Sequence, residues 1–243
     1  MPERIEAHNI RFGFGAFQLL RNVSLTVDKG EVTVVAGRSG HGKSILLEIC
    51  SSVRGPESGE VLWDGVPVYG MNKARLNAQR QKAGYMFQQH GLIANMGMFA
   101  NIALPLRYHS DMDESDMNRH VRSLMDECGL YNIDRLFPEA LATRQLRCAS
   151  LARALVMTPE MLFLDEPTCG LDPETETNIV NILRAYHERT RATMLIASTS
   201  RALIEGLGAR LAVLESGQLL TGPALSQMTE NDLPFLSHYT RKV

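Results

Sequence analysis

Residues 37–44 read Gly-Arg-Ser-Gly-His-Gly-Lys-Ser, the full G-x-x-x-x-G-K-[ST] spacing of a phosphate-binding loop. Such a loop works only between a buried strand and the N-terminus of a helix, so it dictates the local fold. The residues before it, Glu31-Val-Thr-Val-Val-Ala36, are β-branched and apolar, as a buried strand requires. Those after it, Ser44 to Val53, carry helical spacing. Gly37, Gly40 and Gly42 let the backbone bend and aim its N–H groups at an anion, and Arg38, Ser39 and His41 between them contribute backbone donors. Lys43 can reach β- and γ-phosphates, and the Ser44 hydroxyl can ligate Mg²⁺. Chance would produce the pattern in about one chain in a hundred of this length. A Gly-rich turn before an ordinary helix is therefore the weaker reading. By the same logic the His41 ring is expected to face solvent.

The 243 residues suffice for one large domain with a sizeable core. A net charge of −2 gives no reason to expect nucleic-acid binding. Arg75, Arg80 and Lys82, and the acidic run Asp111, Asp113, Glu114 and Asp116, read as solvated faces. Cys50, Cys128, Cys148 and Cys169 form no metal-like cluster and read as reduced thiols, with Cys169 a small packing residue. The N-terminus lacks the apolar core of a signal peptide, and no apolar stretch is long enough to span a bilayer. Any membrane role is expected to run through a partner.

Along the chain, residues 4–10, 22–28 and 59–64 predict a small antiparallel sheet, with Lys29-Gly30 and Asp64-Gly65 as turns. Tyr85-Met-Phe87 predicts a short strand ending in Gln88. Residues 99–130 predict helix, broken at Pro105, and 144–156 a further helix. Met161–Leu164, Thr193–Ile196 and Leu211–Leu214 predict buried strands. Asp172-Pro173 opens a helix with an N-cap and a first-turn proline. Strands alternating with helices predict a parallel sheet covered on both faces.

Leu162-Phe-Leu-Asp-Glu166 is an apolar strand that ends in two carboxylates. Beside a phosphate loop, Asp165 would hold Mg²⁺ and Glu166 would act as general base toward an attacking water. Together the two motifs point to nucleoside-triphosphate binding. The chain from Asn9 to Gly217 now resembles the ATP-binding subunit of an ATP-binding-cassette (ABC) transporter. That resemblance implies an α/β fold: a P-loop NTPase core with an antiparallel β subdomain, a helical subdomain at about 90–156, and a C-terminal tail from 219. It implies ATP and Mg²⁺ as cofactors. It implies a transmembrane permease and a second ATP-binding subunit, identical or different, as partners. The chain would then sit in the cytoplasm, peripheral on the inner face of the cell membrane. Gln88 matches the glutamine that senses Mg²⁺ and the permease, and Gly170-Leu171-Asp172 matches the segment called the D-loop. Phe14 sits where the family stacks an aromatic on adenine, with Phe12 a competing choice. Residues Met86–Leu92 and Met98–Arg107, with His109, are similar to the ATPases of Mla-type phospholipid transporters.

Two places depart from the family. Its Leu-Ser-Gly-Gly-Gln signature aligns with Leu141-Ala142-Thr143-Arg144-Gln145, and Cys148 replaces a usual arginine in the same helix. Its switch histidine aligns with Ser198-Thr199-Ser200. Either this is an active ATPase with a divergent signature, or a subunit that hydrolyses ATP slowly unless paired with another. Arg144 could act as a cationic finger, although a helix N-terminus disfavours a cation there. A non-catalytic, regulatory ATP-binding module is the rival of another class. A soluble ABC protein of DNA repair or translation fits less well, for want of a tandem cassette or a coiled-coil insertion.

Overall fold

The computed structural model describes residues 3–222. The chain opens with β1 (Ile5–Phe14), β2 (Phe17–Val27) and β3 (Val32–Ala36), and the phosphate loop then leads into α1 (Lys43–Cys50). Next come β4 (Ser58–Trp63), β5 (Val66–Pro67), α2 (Lys73–Arg80) and β6 (Ala83–Met86). A helical stretch follows, with α3 (Met98–His109), α4 (Glu114–Glu127) and α5 (Thr143–Leu155). The last elements are β7 (Met161–Asp165), α6 (Pro173–Thr190), β8 (Thr193–Ala197), α7 (Arg201–Gly206), β9 (Arg210–Glu215) and β10 (Gln218–Thr221).

The central sheet runs β10-β9-β3-β8-β7-β6, parallel except for the β9–β10 edge pair. The second sheet, β2-β1-β4-β5, is antiparallel. Strands β3, β7 and β8 are buried along their whole length, which explains their unbroken apolar runs. Their side chains alternate between two cores. Leu162, Leu164, Met194 and Ile196 join α3, α5, α6 and α7 on one face. Met161, Phe163, Leu195 and Ala197 join α1 and the antiparallel sheet on the other. Trp63 ties these layers together: it stacks on Phe163 at 6.0 Å, and its indole N–H donates to the Cys50 carbonyl at 2.9 Å. The fold is thus the expected α/β core with an antiparallel sheet and a helical part.

Some expectations need correction. Pro105 does not break α3, which continues to His109. Its ring removes one ladder hydrogen bond, but Met98, Ile102, Ala103 and Leu106 are buried on both sides of it and hold the helix. The first helix stops at Cys50 rather than 53, because Ser52 adopts a left-handed φ of 65°. Phe87 lies beyond β6 and is exposed. Residues 218–221 pair with β9 as a strand, so no tail begins at 219; the rest of the expected tail, 223–243, lies outside the described residues.

The contact between β6 and α5 is close enough to test. A Cβ on Gly84 would stand 2.2 Å from the Ala154 carbonyl oxygen. Gly84→Ala should destabilise the protein by about 1–3 kcal/mol through overpacking. Denaturant unfolding measures this, and an unchanged midpoint would mean that α5 does not approach β6 so closely.

Candidate functional site

Strand register builds the site. Val35 of β3 pairs with Ala197 of β8, and Ala197 pairs with Asp165 of β7. Three neighbouring parallel strands therefore end at one level, and the loops that leave them meet at the carboxyl edge of the sheet. Two bonds fix the exits: the Ser198 N–H donates to Val35, and the Glu166 N–H to Ala197. The fourth strand, β6, delivers Gln88 to the same edge.

The phosphate loop bends as its glycines permit. A Cβ on Gly37 would lie 2.4 Å from the Leu214 carbonyl oxygen, so only glycine fits against β9. Gly42 caps α1 at φ 98°, a conformation L side chains resist. The Lys43 side chain folds back over the loop and is only 8% exposed. Its ammonium donates to the Gly37 carbonyl at 2.9 Å and the Arg38 carbonyl at 3.3 Å, and lies 3.4 Å from Glu166 Oε1. The Ser44 hydroxyl donates to Asp165 Oδ1 at 3.0 Å. Glu166 takes a left-handed φ of 47°, an uncommon conformation for a residue with a side chain.

Lys43, Ser44, Glu166 and Gln88 line one cavity of about 420 Å³ with Ser39, Gly40 and Gly42. Asp165 joins them through Ser44. Gly37 and Arg38 contribute the carbonyls that hold Lys43, and Arg38 is exposed. Phe14 is not in that lining. It is 58% exposed and meets Phe12 edge-on at 5.3 Å, while Phe12 is buried under the guanidinium of Arg54. Phe12 is therefore a core residue, and of the two only Phe14 offers an open ring face. His41 does not face open solvent: its Nδ1 lies 3.4 Å from Glu215 Oε2 at the end of β9. Cys169 is not a packing residue either; it is exposed and lines the cavity beside Glu166.

Leu19, Ile45, Cys169 and Thr199 complete the lining. Cys169 and Thr199 could have been placed there by their nearness to Asp165-Glu166 and to the end of β8. Leu19 comes from β2, and no pattern in the sequence signals it. Ala142, Thr143 and Arg144 are exposed at the start of α5, Gln145 is half-buried, and none of the four is part of this lining.

The donor set suits a hard divalent cation, since Ser44, Asp165 and Gln88 offer oxygen atoms. Among the described residues no cluster of three or more His, Cys, Asp or Glu could hold a metal alone. A cation here would need further oxygens from its own phosphates.

Residues 20–169 match a family model described as ABC transporter. The methionine import ATP-binding protein MetN of Rhizobium meliloti is 35% identical over 208 residues, 86% of this chain and 58% of that protein. MetN of Corynebacterium efficiens is 32% identical over 87% of this chain and 59% of its own length. The chain thus spans somewhat under three fifths of these relatives. The dimeric structure of MJ0796, a bacterial ABC transporter cassette, superposes with a TM-score of 0.82 at 27% identity, covering 88% of this chain and 96% of that one. The same cassette has been solved bound to ADP and Pi, with 25% identity and a TM-score of 0.82.

The charge of Asp165 gives a test. Burial pushes its carboxyl up from 3.8 to about 6, against the Ser44 hydrogen bond and with the help of the Glu166 charge. Between those values the folded protein holds a proton that the unfolded chain releases. The contribution of this group is complete below about 3.8 and is lost as pH rises through about 6. Asp165→Asn should therefore stabilise the ligand-free protein by roughly 1–3 kcal/mol near neutral pH and much less in acid. Calorimetry at the two pH values decides it; an equal gain at both would show that the carboxylate charge is not the cause.

Proposed function

The chain belongs to the ABC transporter family of ATP-binding proteins, and from that membership we propose that it is the ATP-binding subunit of an ABC transporter. The observation that carries this reading is the convergence of Lys43, the Ser44–Asp165 pair, Glu166 and Gln88 on one cavity. In the proposed cycle the triphosphate displaces Lys43 from the Gly37 and Arg38 carbonyls, and the ammonium moves to the β- and γ-phosphates. That move also frees Glu166 from its 3.4 Å contact with Lys43. Glu166 then orients a water toward the γ-phosphorus and takes its proton as the bond from that phosphorus to the β–γ bridging oxygen breaks, leaving ADP and phosphate. Ser44, Asp165 and Gln88 supply protein oxygens for a magnesium ion, whose chemistry is to offset charge on the phosphate oxygens. Phe14 is the ring available to stack on adenine.

Two such subunits would close head to tail, as the dimeric neighbour suggests, so that the exposed residues 142–144 of one face the cavity of the other. A permease is the expected membrane partner, because no helix among the described residues is long and apolar enough to cross a bilayer. Phe87, Ile93, Leu136 and Phe137 are exposed around the loop after β6, and that is where we place the permease's docking segment. The subunit would then lie peripherally at the inner face of the membrane. The relatives named above import methionine, so the phospholipid cargo suggested by residues 86–109 gains no support from them. Import of a small solute is the transport class we adopt.

A second reading, a subunit that binds ATP but turns it over slowly, is favoured by the site's missing donors. Ala142 carries no hydroxyl, and Thr199 lines the cavity where the family places a histidine. Each lost contact to a transferring phosphoryl group is worth on the order of 3 kcal/mol.

Lys43→Ala should weaken ATP binding strongly and leave the fold intact. Unchanged affinity in a calorimetric titration would remove the phosphate-loop assignment. The purified chain alone should show little ATPase activity, and Ala142→Ser with Thr143→Gly and Arg144→Gly should raise it. Turnover by the unaltered chain at about 1–10 per second would contradict the slow-subunit reading and make Arg144 the first residue to test.

A further inference from the structure

The loop after β6 is built of carbonyls that no strand or helix can satisfy. His90 and Gly91 both adopt left-handed φ values, 47° and 60°, which turn their carbonyls out of any regular ladder. Side chains of α5 meet those groups one after another. Arg147 Nη1 donates to the Gln88 carbonyl at 2.6 Å, and the Ser150 hydroxyl to the His90 carbonyl at 2.8 Å. Arg153 donates to the Gly91 carbonyl at 2.8 Å and to the His90 carbonyl at 3.2 Å. The three residues are spaced by three, so they form one stripe winding slowly around the helix.

Several features show that this is more than a surface contact. Ser150 is fully buried. Among the described residues, both guanidinium groups direct their hydrogen bonds to these main-chain carbonyls and pair with no carboxylate. Burial lowers the pKa of Arg153, so its charge is held partly out of water and depends on the loop for compensation. The His90 ring accepts from the Leu92 N–H through Nδ1, which requires a neutral imidazole at that atom. Burial, Arg147 and Arg153 all push the His90 pKa down and so favour that form. Cys148, the neighbour of Arg147, is buried in the helical core and cannot reach the loop. Farther along, Asn101 accepts from the Ile93 N–H at 2.7 Å and donates to the Met96 carbonyl at 2.8 Å.

We propose that Arg147, Ser150 and Arg153 are positioning residues that lock Gln88 and residues 89–92 to α5, so that nucleotide contact at Gln88 and order at the start of α5 are coupled through this helix. The inference rests on the ATP-binding reading above. It assigns Gln88 a position set through its main chain by α5, while its side chain stays free to face the cavity. The coupling is direct, since Arg147 lies only three residues from the exposed segment 142–144.

Hydrogen exchange on the full chain, at a dilution where light scattering shows it monomeric with the analogue present, tests it with and without magnesium and a non-hydrolysable ATP analogue. In the unaltered protein the analogue should slow exchange at 88–92 and at 142–147 together. In Arg147→Ala and in the gentler Ser150→Ala, amides 89–92 should exchange about tenfold faster without nucleotide. Analogue affinity should stay within about twofold, and the slowing at 142–147 should be lost in Arg147→Ala. Arg147→Lys, which keeps a donor and a charge, should restore it; a merely structural role would not separate lysine from alanine in this readout. Joint slowing at both segments in Arg147→Ala, at the level of the unaltered protein, would overturn the proposal. If the unaltered chain fails to bind the analogue, the ATP-binding reading falls instead, and the nucleotide-free exchange at 89–92 still decides the lock.

Discussion

The level ends of β3, β8 and β7 are the constraint on which the rest of this structure depends. A phosphate loop, a pair of acidic residues and the loop carrying Thr199 are far apart in the chain, and only strand register brings them into one place. A slip of one residue in β7 would turn Asp165 to the opposite face and break its bond to Ser44. The register is held by apolar side chains on both faces of the sheet, with Trp63 against Phe163 on one side and the helical core on the other. The fold thus fixes the chemistry through hydrophobic packing well away from the polar groups that would perform it.

Charge explains why the site suits a phosphate with a divalent cation. Asp165 and Glu166 meet there; Lys43 pairs with Glu166, while Asp165 is buried and accepts from the Ser44 hydroxyl. The raised carboxyl of Asp165 records chiefly its burial, with the neighbouring Glu166 charge adding to it. A divalent cation would offset that charge, and the accompanying phosphates would in turn take Lys43 from the loop carbonyls. The left-handed Glu166 holds its carboxylate toward Lys43 in the meantime.

Much of the fold was legible in the sequence because its signals are local. The glycine spacing of 37–44, the apolar runs of β3 and β7 and the Asp172 cap, which accepts from the Thr175 N–H at 3.0 Å, each declare themselves within a few residues. What escaped depends on distant partners. Pro105 reads as a break until the packing around α3 is known, and the His41 ring reads as exposed until Glu215 arrives from β9. Helix α2 buries none of its residues, so it carries no apolar period to recognise. Leu19 enters the cavity from a sheet edge that only the tertiary fold brings near.

The start of α5 follows the same electrostatic logic. A serine at the cap position would accept from a backbone N–H of the first turn, but Ala142 cannot. Gln145 reaches back to the Ala142 N–H at 3.1 Å, which caps the residue before the helix and leaves the first-turn donors without a side-chain acceptor. No acidic residue lies in that turn, and Arg144 adds a positive charge. An exposed helix N-terminus so arranged is stabilised by an anion from outside the chain, and the phosphates of a neighbouring subunit would supply one on the proposed reading. On that reading Ala142 would offer the anion one hydroxyl fewer without abolishing the field that attracts it. The same helix holds the Gln88 carbonyl through Arg147, so on the proposed coupling an anion at its first turn would help order the loop at the chain's own cavity. On the proposed reading, residues 142–144 would weaken one donor set toward a neighbour's phosphates and still leave the contacts from α5 to the Gln88 loop in place.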